Sequence, residues 1–133
     1  MTIMVPNTGE VIALAYLVNK QAPENLVYRL FATNITPAET DTAASYTEAA
    51  GAGYAALTLT GASWSVTGGA PSTASYAQQT WTFTGALTTN GTIYGYYVTR
   101  ATTGDLVLAE TFASFTPAAN GDNLKLTPQI SAD

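Results

Sequence analysis

The chain contains no cysteine and no histidine. Without thiols it forms neither disulfides nor thiolate metal sites, which excludes a disulfide-stapled secreted scaffold. Without imidazole it lacks the commonest general base and the commonest nitrogen ligand for metals, so neither a Ser-His-Asp nor a Cys-His site can be assembled. Charge is also scarce: Asp, Glu, Lys and Arg make up 10% of the residues, against ~25% in an average soluble domain. The four cations, Lys20, Arg29, Arg100 and Lys125, are scattered, and the net charge is −5. Binding to a nucleic-acid backbone needs clustered cations to displace counterions and is not expected, nor is attachment to an anionic membrane. The longest apolar run, Val11 to Val18, is too short for a bilayer span of ~20 residues. With Glu10 at its mouth and nothing basic before it, it makes a poor signal peptide, and the mature chain is expected to begin near Met1.

What is present suits one domain. The 133 residues are 47% apolar, enough to bury a core in a domain of ordinary size. The surface must then be covered mainly by threonine, serine, asparagine and glutamine. Such a surface hydrates well but repels little, as suits a protein whose exterior touches something.

Two regions are expected, an arm or helix over 1–22 and a single β-sandwich domain over 23–133. Asn7, with Glu10 three residues later, has the spacing of a capping box for a helix from about Thr8 to Asn19. Val11, Leu14, Ala15 and Val18 share one face of that helix, while Ile12 and Leu17 make the rest apolar too. The segment is therefore buried or packed against a partner, with a strand as the alternative. Pro23 closes it. From Glu24 the period becomes two, with Leu26, Tyr28 and Leu30 on one side and Val27, Arg29 and Phe31 on the other. Residues 33–53 form a long excursion, a length seldom kept without a use.

Short strands follow, separated by turn chemistry. Trp81 and Phe83 point inward, Asn90-Gly91 suits a tight type I′ hairpin, and Tyr94, Tyr96 and Val98 share a face. Leu106, Leu108, Glu110 and Phe112 form the next set, and Leu124, Leu126 and Ile130 the last, with Pro128 at an edge or an end. About seven or eight antiparallel strands at this spacing specify an all-β sandwich or barrel.

The candidate sites are few. Glu39, Asp41, Glu48 and Glu110 are the carboxylates available for glycosidase-type acid and base work. Glu110, in register with Leu108 and Phe112, points to the core side and needs a cation such as Arg100 or Arg29 to stay charged there. Glu39, Asp41 and Glu48 offer oxygens to calcium, but their spacing matches no EF-hand loop. Asp41 more simply caps a helical turn through Ala43, Ala44 and Ser45. Tyr97, Tyr46 and Tyr54 are the rings left free for stacking on a sugar. None of these patterns amounts to a catalytic, cofactor or metal site.

Several segments resemble, in order, a family of small tailed-bacteriophage virion proteins. They include Val5-Pro6-Asn7 with Gly9-Glu10-Val11, and Asn34-Ile35-Thr36-Pro37 with Glu39-Thr40-Asp41-Thr42. Tyr46-Thr47-Glu48-Ala49, Tyr76-Ala77-Gln78-Gln79-Thr80, Ile93-Tyr94-Gly95-Tyr96-Tyr97 and Leu126-Thr127-Pro128 follow. The resemblance implies a non-enzymatic cement or decoration protein on the outer surface of the capsid. It further implies a jelly-roll-like sandwich, association as a trimer, and the major capsid protein as partner, with no cofactor. A carbohydrate- or receptor-binding module of a tail or fibre is the alternative.

Overall fold

The alternation that begins at Leu26 becomes β1 (Leu26–Phe31), which lies between β2 (Leu57–Leu59) and the central strand β6 (Ile93–Arg100). Beyond β6 lies β7 (Leu106–Phe115), completing a four-stranded sheet of order β2-β1-β6-β7, every pair antiparallel. The remaining strands are β3 (Ser65–Thr67), β4 (Ser72–Ser75), β5 (Gln79–Thr82), β8 (Asn123–Leu126) and β9 (Gln129–Ala132). They form a β3-β4-β9 sheet and a β5-β8 ribbon, both antiparallel. The computed structural model describes residues 3–132, and among them there are nine strands in three sheets with one α-helix. The class is mostly antiparallel β, as expected, with more strands than the seven or eight anticipated. The extra count arises where Thr127-Pro128 splits the run from Leu124 to Ile130 into β8 and β9, which pair in different sheets.

The main core is shared by all three sheets. Tyr28, Leu30, Leu59, Trp81, Phe83, Ile93, Tyr96, Val98 and Leu108 are buried together, with Leu124, Ile130 and Trp64 packed against them. The opposite face of the four-stranded sheet holds a second cluster of Phe31, Tyr46, Tyr97, Leu106 and Ala109. β6 is thus covered on both faces, which is why its apolar residues run almost without interruption. Two register shifts, between Ile93 and Gly95 and between Val98 and Thr99, break the simple alternation. They explain why Tyr94 and Leu106 join the second cluster instead of sharing a face with Tyr96 and Leu108. At Gly95 a Cβ would collide with the Glu110 carbonyl and lie 2.6 Å from the Phe31 ring, so only glycine lets these strands close.

The 33–53 excursion returns along β1. Phe31 bridges to Glu48, Ala32 donates to the Thr47 carbonyl and Ala49 to that of Leu30. This places Tyr46 over the second cluster. Asn90 and Gly91 both have positive φ, 52° and 75°, but the strands they join, β5 and β6, belong to different sheets. The turn chemistry is as expected, and the hairpin is not formed.

The helix α1 spans Asn7–Leu17 and packs on β7. Pro6 occupies the capping position and makes no side-chain cap. The expected capping role of Asn7 is therefore replaced: Asn7 is the first helical residue, its N–H donating to the Glu39 carbonyl at 2.9 Å. Before the helix, Met4 exchanges two backbone hydrogen bonds with Ala109 on β7. Gly9, Ile12 and Ala15 form the buried side, with Gly9 so close to the Val107 carbonyl that a Cβ would clash. The helix ends at Leu17 with Val18 as its cap, and Asn19 follows in the left-handed region at φ 57°, with Lys20 N–H closing on the Ala15 carbonyl at 2.8 Å. The stop thus precedes Pro23.

Candidate functional site

The carboxylates are distributed among separate partners. Glu110 stands opposite Tyr96 and points to the core side, as its register indicated. Its partner is not an arginine. Tyr96 donates its hydroxyl to Glu110 Oε2 at 2.6 Å, and Tyr28 stacks on the Tyr96 ring with centroids 5.4 Å apart. Burial, followed by the hydrogen bond to Glu110, pushes the Tyr96 hydroxyl well above the ordinary tyrosine range, so it stays a donor.

Arg29 instead holds Glu48, donating Nη1–H at 3.0 and 3.2 Å, and bonds Thr99 through Nε at 3.2 Å. Tyr54 donates to Glu48 at 2.9 Å while accepting the Leu30 N–H at 3.0 Å. This half-buried network fixes the return of the excursion onto β1. Tyr97, buried beside it, has its hydroxyl pushed up to about 12 by burial first and the Glu48 charge second. Asp41 turns back rather than forward: its Oδ2 accepts from Ala38 N–H at 2.9 Å and from the Tyr46 hydroxyl at 2.8 Å. The turn at Ala43–Ser45 is closed by Ser45 Oγ, which accepts the Thr42 N–H. Glu39, Asp41 and Glu48 are not brought together, and among the described residues no three acidic side chains gather as a metal site would need.

The expected free rings are covered. Tyr97 stacks on Tyr46 with centroids 5.0 Å apart at 13°, Phe31 packs against Tyr46, and Tyr54 is tied into the Glu48 network. Trp64 and Tyr16 lie beside an open groove, a space of about 480 Å³ walled mainly by Leu26, Leu59, Val66, Ala74 and Ile130.

A cluster that sequence reasoning missed surrounds Arg100. Its buried guanidinium meets Glu24 at 3.5 Å, Gln21 at 3.1 Å and Asp105, with Tyr16 of α1 beside it. The hydrogen bond from Arg100 holds the Asp105 carboxyl below its usual range, and the Thr102 N–H does so for Glu24. The hint was compositional: in a chain this poor in charge, an arginine five residues before an aspartate across a Gly turn invites an ion pair.

The feature without an internal partner is the outer side of α1. Val11, Leu14, Leu17 and Val18 are 62–82% exposed on a helix whose other side is already docked. A helix that is apolar all round is ordinarily covered all round. Among the described residues, nothing in the chain covers this side.

Fold and surface together define a small antiparallel β protein carrying one docked helix with a bare apolar face. Compared with known proteins, the chain matches no family model, no curated protein and no solved structure.

Proposed function

We propose that this protein is a virion structural component of a tailed bacteriophage. Its role is that of a cement or decoration protein, non-catalytic and without a cofactor, bound to the major capsid protein lattice on the outer capsid surface. The observation that carries this is the bare face of α1. A docked helix that, with its cap residue Val18, presents four exposed aliphatic side chains on a weakly charged module suits permanent assembly with a virion neighbour, whether capsid protein or another copy. The ordered resemblance along the sequence supplies the phage context, the jelly-roll form of the sandwich and the trimer. Each carboxylate discussed above, apart from exposed Glu10 and Glu39, serves a structural hydrogen bond, which fits a scaffold that holds shape.

The glycan-binding alternative now has to rest on the groove beside Trp64. That groove is lined almost wholly by apolar groups, whereas a sugar needs hydrogen-bond partners for its hydroxyls. It is the weaker of the two.

The test is binding of purified protein to undecorated capsids, followed by an electron-microscopy map of the particles. Deleting residues 1–20 would strip Pro6, Ile12 and Ala15 from the folded body, so surface substitutions are the better probe. Wild type is expected to occupy lattice positions in hundreds of copies. Leu17→Asp with Val18→Asp is expected to lower occupancy about tenfold while leaving the melting temperature unchanged. Density confined to a tail or a single vertex, or no binding at all, would reject the cement role.

A further inference from the structure

We infer that Asn90 is a site of spontaneous covalent modification, its side-chain amide being lost by cyclisation onto the Gly91 backbone nitrogen, and that the fold confines this reaction to one of two Asn-Gly pairs. The pairs are Asn90-Gly91 and Asn120-Gly121, and both asparagines are exposed. The asparagine amide is thermolabile, most of all before glycine, where no side chain hinders attack by the following nitrogen. At both glycines the place of a Cβ is open space. Sterics does not separate the two pairs, but hydrogen bonding does.

The step is an internal acyl transfer. A base removes the Gly91 amide proton, the nitrogen attacks Asn90 Cγ, and the Cγ–Nδ2 bond breaks with ammonia leaving, which closes a five-membered succinimide. Water then opens the ring at either carbonyl, giving aspartate or isoaspartate. At Asn90 little holds the nitrogen back. The Gly91 N–H donates to the Thr89 carbonyl at 2.7 Å across Asn90, whose φ is 52°, the strained form of a three-residue turn. Opening that bond breaks no contact with the rest of the fold. Asn90 Nδ2 reaches the Ala32 carbonyl only at 3.3 Å, longer than an ordinary N–H···O bond. On either side the loop is anchored, by Thr88 N–H and Oγ1 on the Ala50 carbonyl at 2.8 and 3.0 Å and by Thr92 on Thr116 at 2.8 Å. The tip between these anchors is free to reach the attack geometry, and the product stays folded. It carries one more negative charge and leaves the Ala32 carbonyl without its donor.

Asn120 is held differently. The Gly121 N–H donates to the Phe83 carbonyl at 2.9 Å, and Phe83 N–H returns a bond of 2.7 Å to the Asp122 carbonyl. Phe83 is fully buried, so freeing Gly121 means lifting the loop off the body. Asp122 Oδ2 also grips the Ala118 and Ala119 N–H groups at 2.8 and 2.9 Å, and its charge disfavours an anionic nitrogen at the neighbouring Gly121. Reaction there waits on local unfolding.

The test is ageing of the full chain in warm buffer at neutral and mildly alkaline pH, with peptides mapped by mass and isoaspartate detected by enzymatic methyl transfer. In the folded chain Asn90 is expected to convert at least about tenfold faster than Asn120, whose amide needs a local opening first. With no histidine in the chain, the base comes from solvent, so the Asn90 rate rises with pH. In urea the advantage of Asn90 is expected to shrink to within about twofold, because both amides are then free. Asn120 converting as fast as Asn90 in the folded chain, Asn90 staying intact there while the unfolded chain reacts, or a tenfold difference that persists in urea would each overturn the assignment.

Discussion

Tyr97 fastens three parts of the molecule. It stands on the central strand β6 opposite Arg29 of β1, and its ring stacks on Tyr46 from the 33–53 excursion. Replacing it with alanine is expected to lower stability by about 3–5 kcal/mol, as for other buried aromatics, measured as a shift in the urea midpoint at unchanged slope. Trp81 and Phe83 were legible as core residues because simple alternation holds through β5 and just beyond it. Tyr97 was legible only as a residue facing away from the main core. Periodicity assigns a side of the sheet and says nothing of what the rest of the chain lays over it, and Tyr46 arrives from an irregular segment. The partner of Glu110 was hidden for a related reason. Tyr96 lies directly across the sheet, but in sequence it is just one of several tyrosines.

The docking of α1 depends on Gly9, where the helix backbone comes against the Val107 carbonyl. Gly9→Ala is expected to lift the helix locally and leave the sheets intact. Hydrogen exchange should show it, with amides over 4–17 and that of Ala109 exchanging at least tenfold faster, while β1 and β6 amides keep their protection. Unchanged protection at Ala109 would contradict that role for Gly9. The helix itself was visible in the sequence to within about two residues at each end, because apolar spacing sets its extent. Its start was misread, since Asn7 and Glu10 have the form of a capping box but the buried Pro6 and the Glu39 carbonyl take over that end. Asn90-Gly91 shows the same limit in a turn. Local chemistry fixed the positive φ values at both residues, whereas strand pairing is decided by distant chain.

Across the whole molecule, ionisation is expected to limit stability at both extremes of pH. Glu24, Asp105 and Asp122 are held below their ordinary values of 4.5, 3.8 and 3.8 by Thr102 N–H, Arg100 and the Ala119 N–H respectively. A depressed folded value means stability that is present above the ordinary value and lost as pH falls through the folded one. These groups are exposed enough that the acid loss should be gradual. The alkaline side is steeper. Tyr28, Tyr46, Tyr54, Tyr96 and Tyr97 are all raised from 10.0, with burial the leading cause at each. The folded state keeps them neutral, so stability is intact below pH 10 and falls as pH rises beyond it. Urea midpoints across pH, with tyrosinate absorbance followed in parallel, check this. The five rings should ionise together with unfolding, and independent titration before unfolding would contradict their burial. The antiparallel β class was legible at this scale from turn spacing and strand pattern. The division into three sheets was not, because it depends on which short strands find each other.

The place of β1 beside β6 bears on how the chain folds. Arg29 and Thr99, hydrogen-bonded across these neighbouring strands, are 70 residues apart in sequence. Closing a loop of that length costs about 4 kcal/mol of chain entropy, and neither core cluster can be completed before it closes. Folding is therefore expected to take milliseconds to seconds, the range of β proteins with largely non-local pairing. Until the loop closes, β6 has one bare flank, and the rate of closure sets how long a newly made chain can pair wrongly with its neighbours.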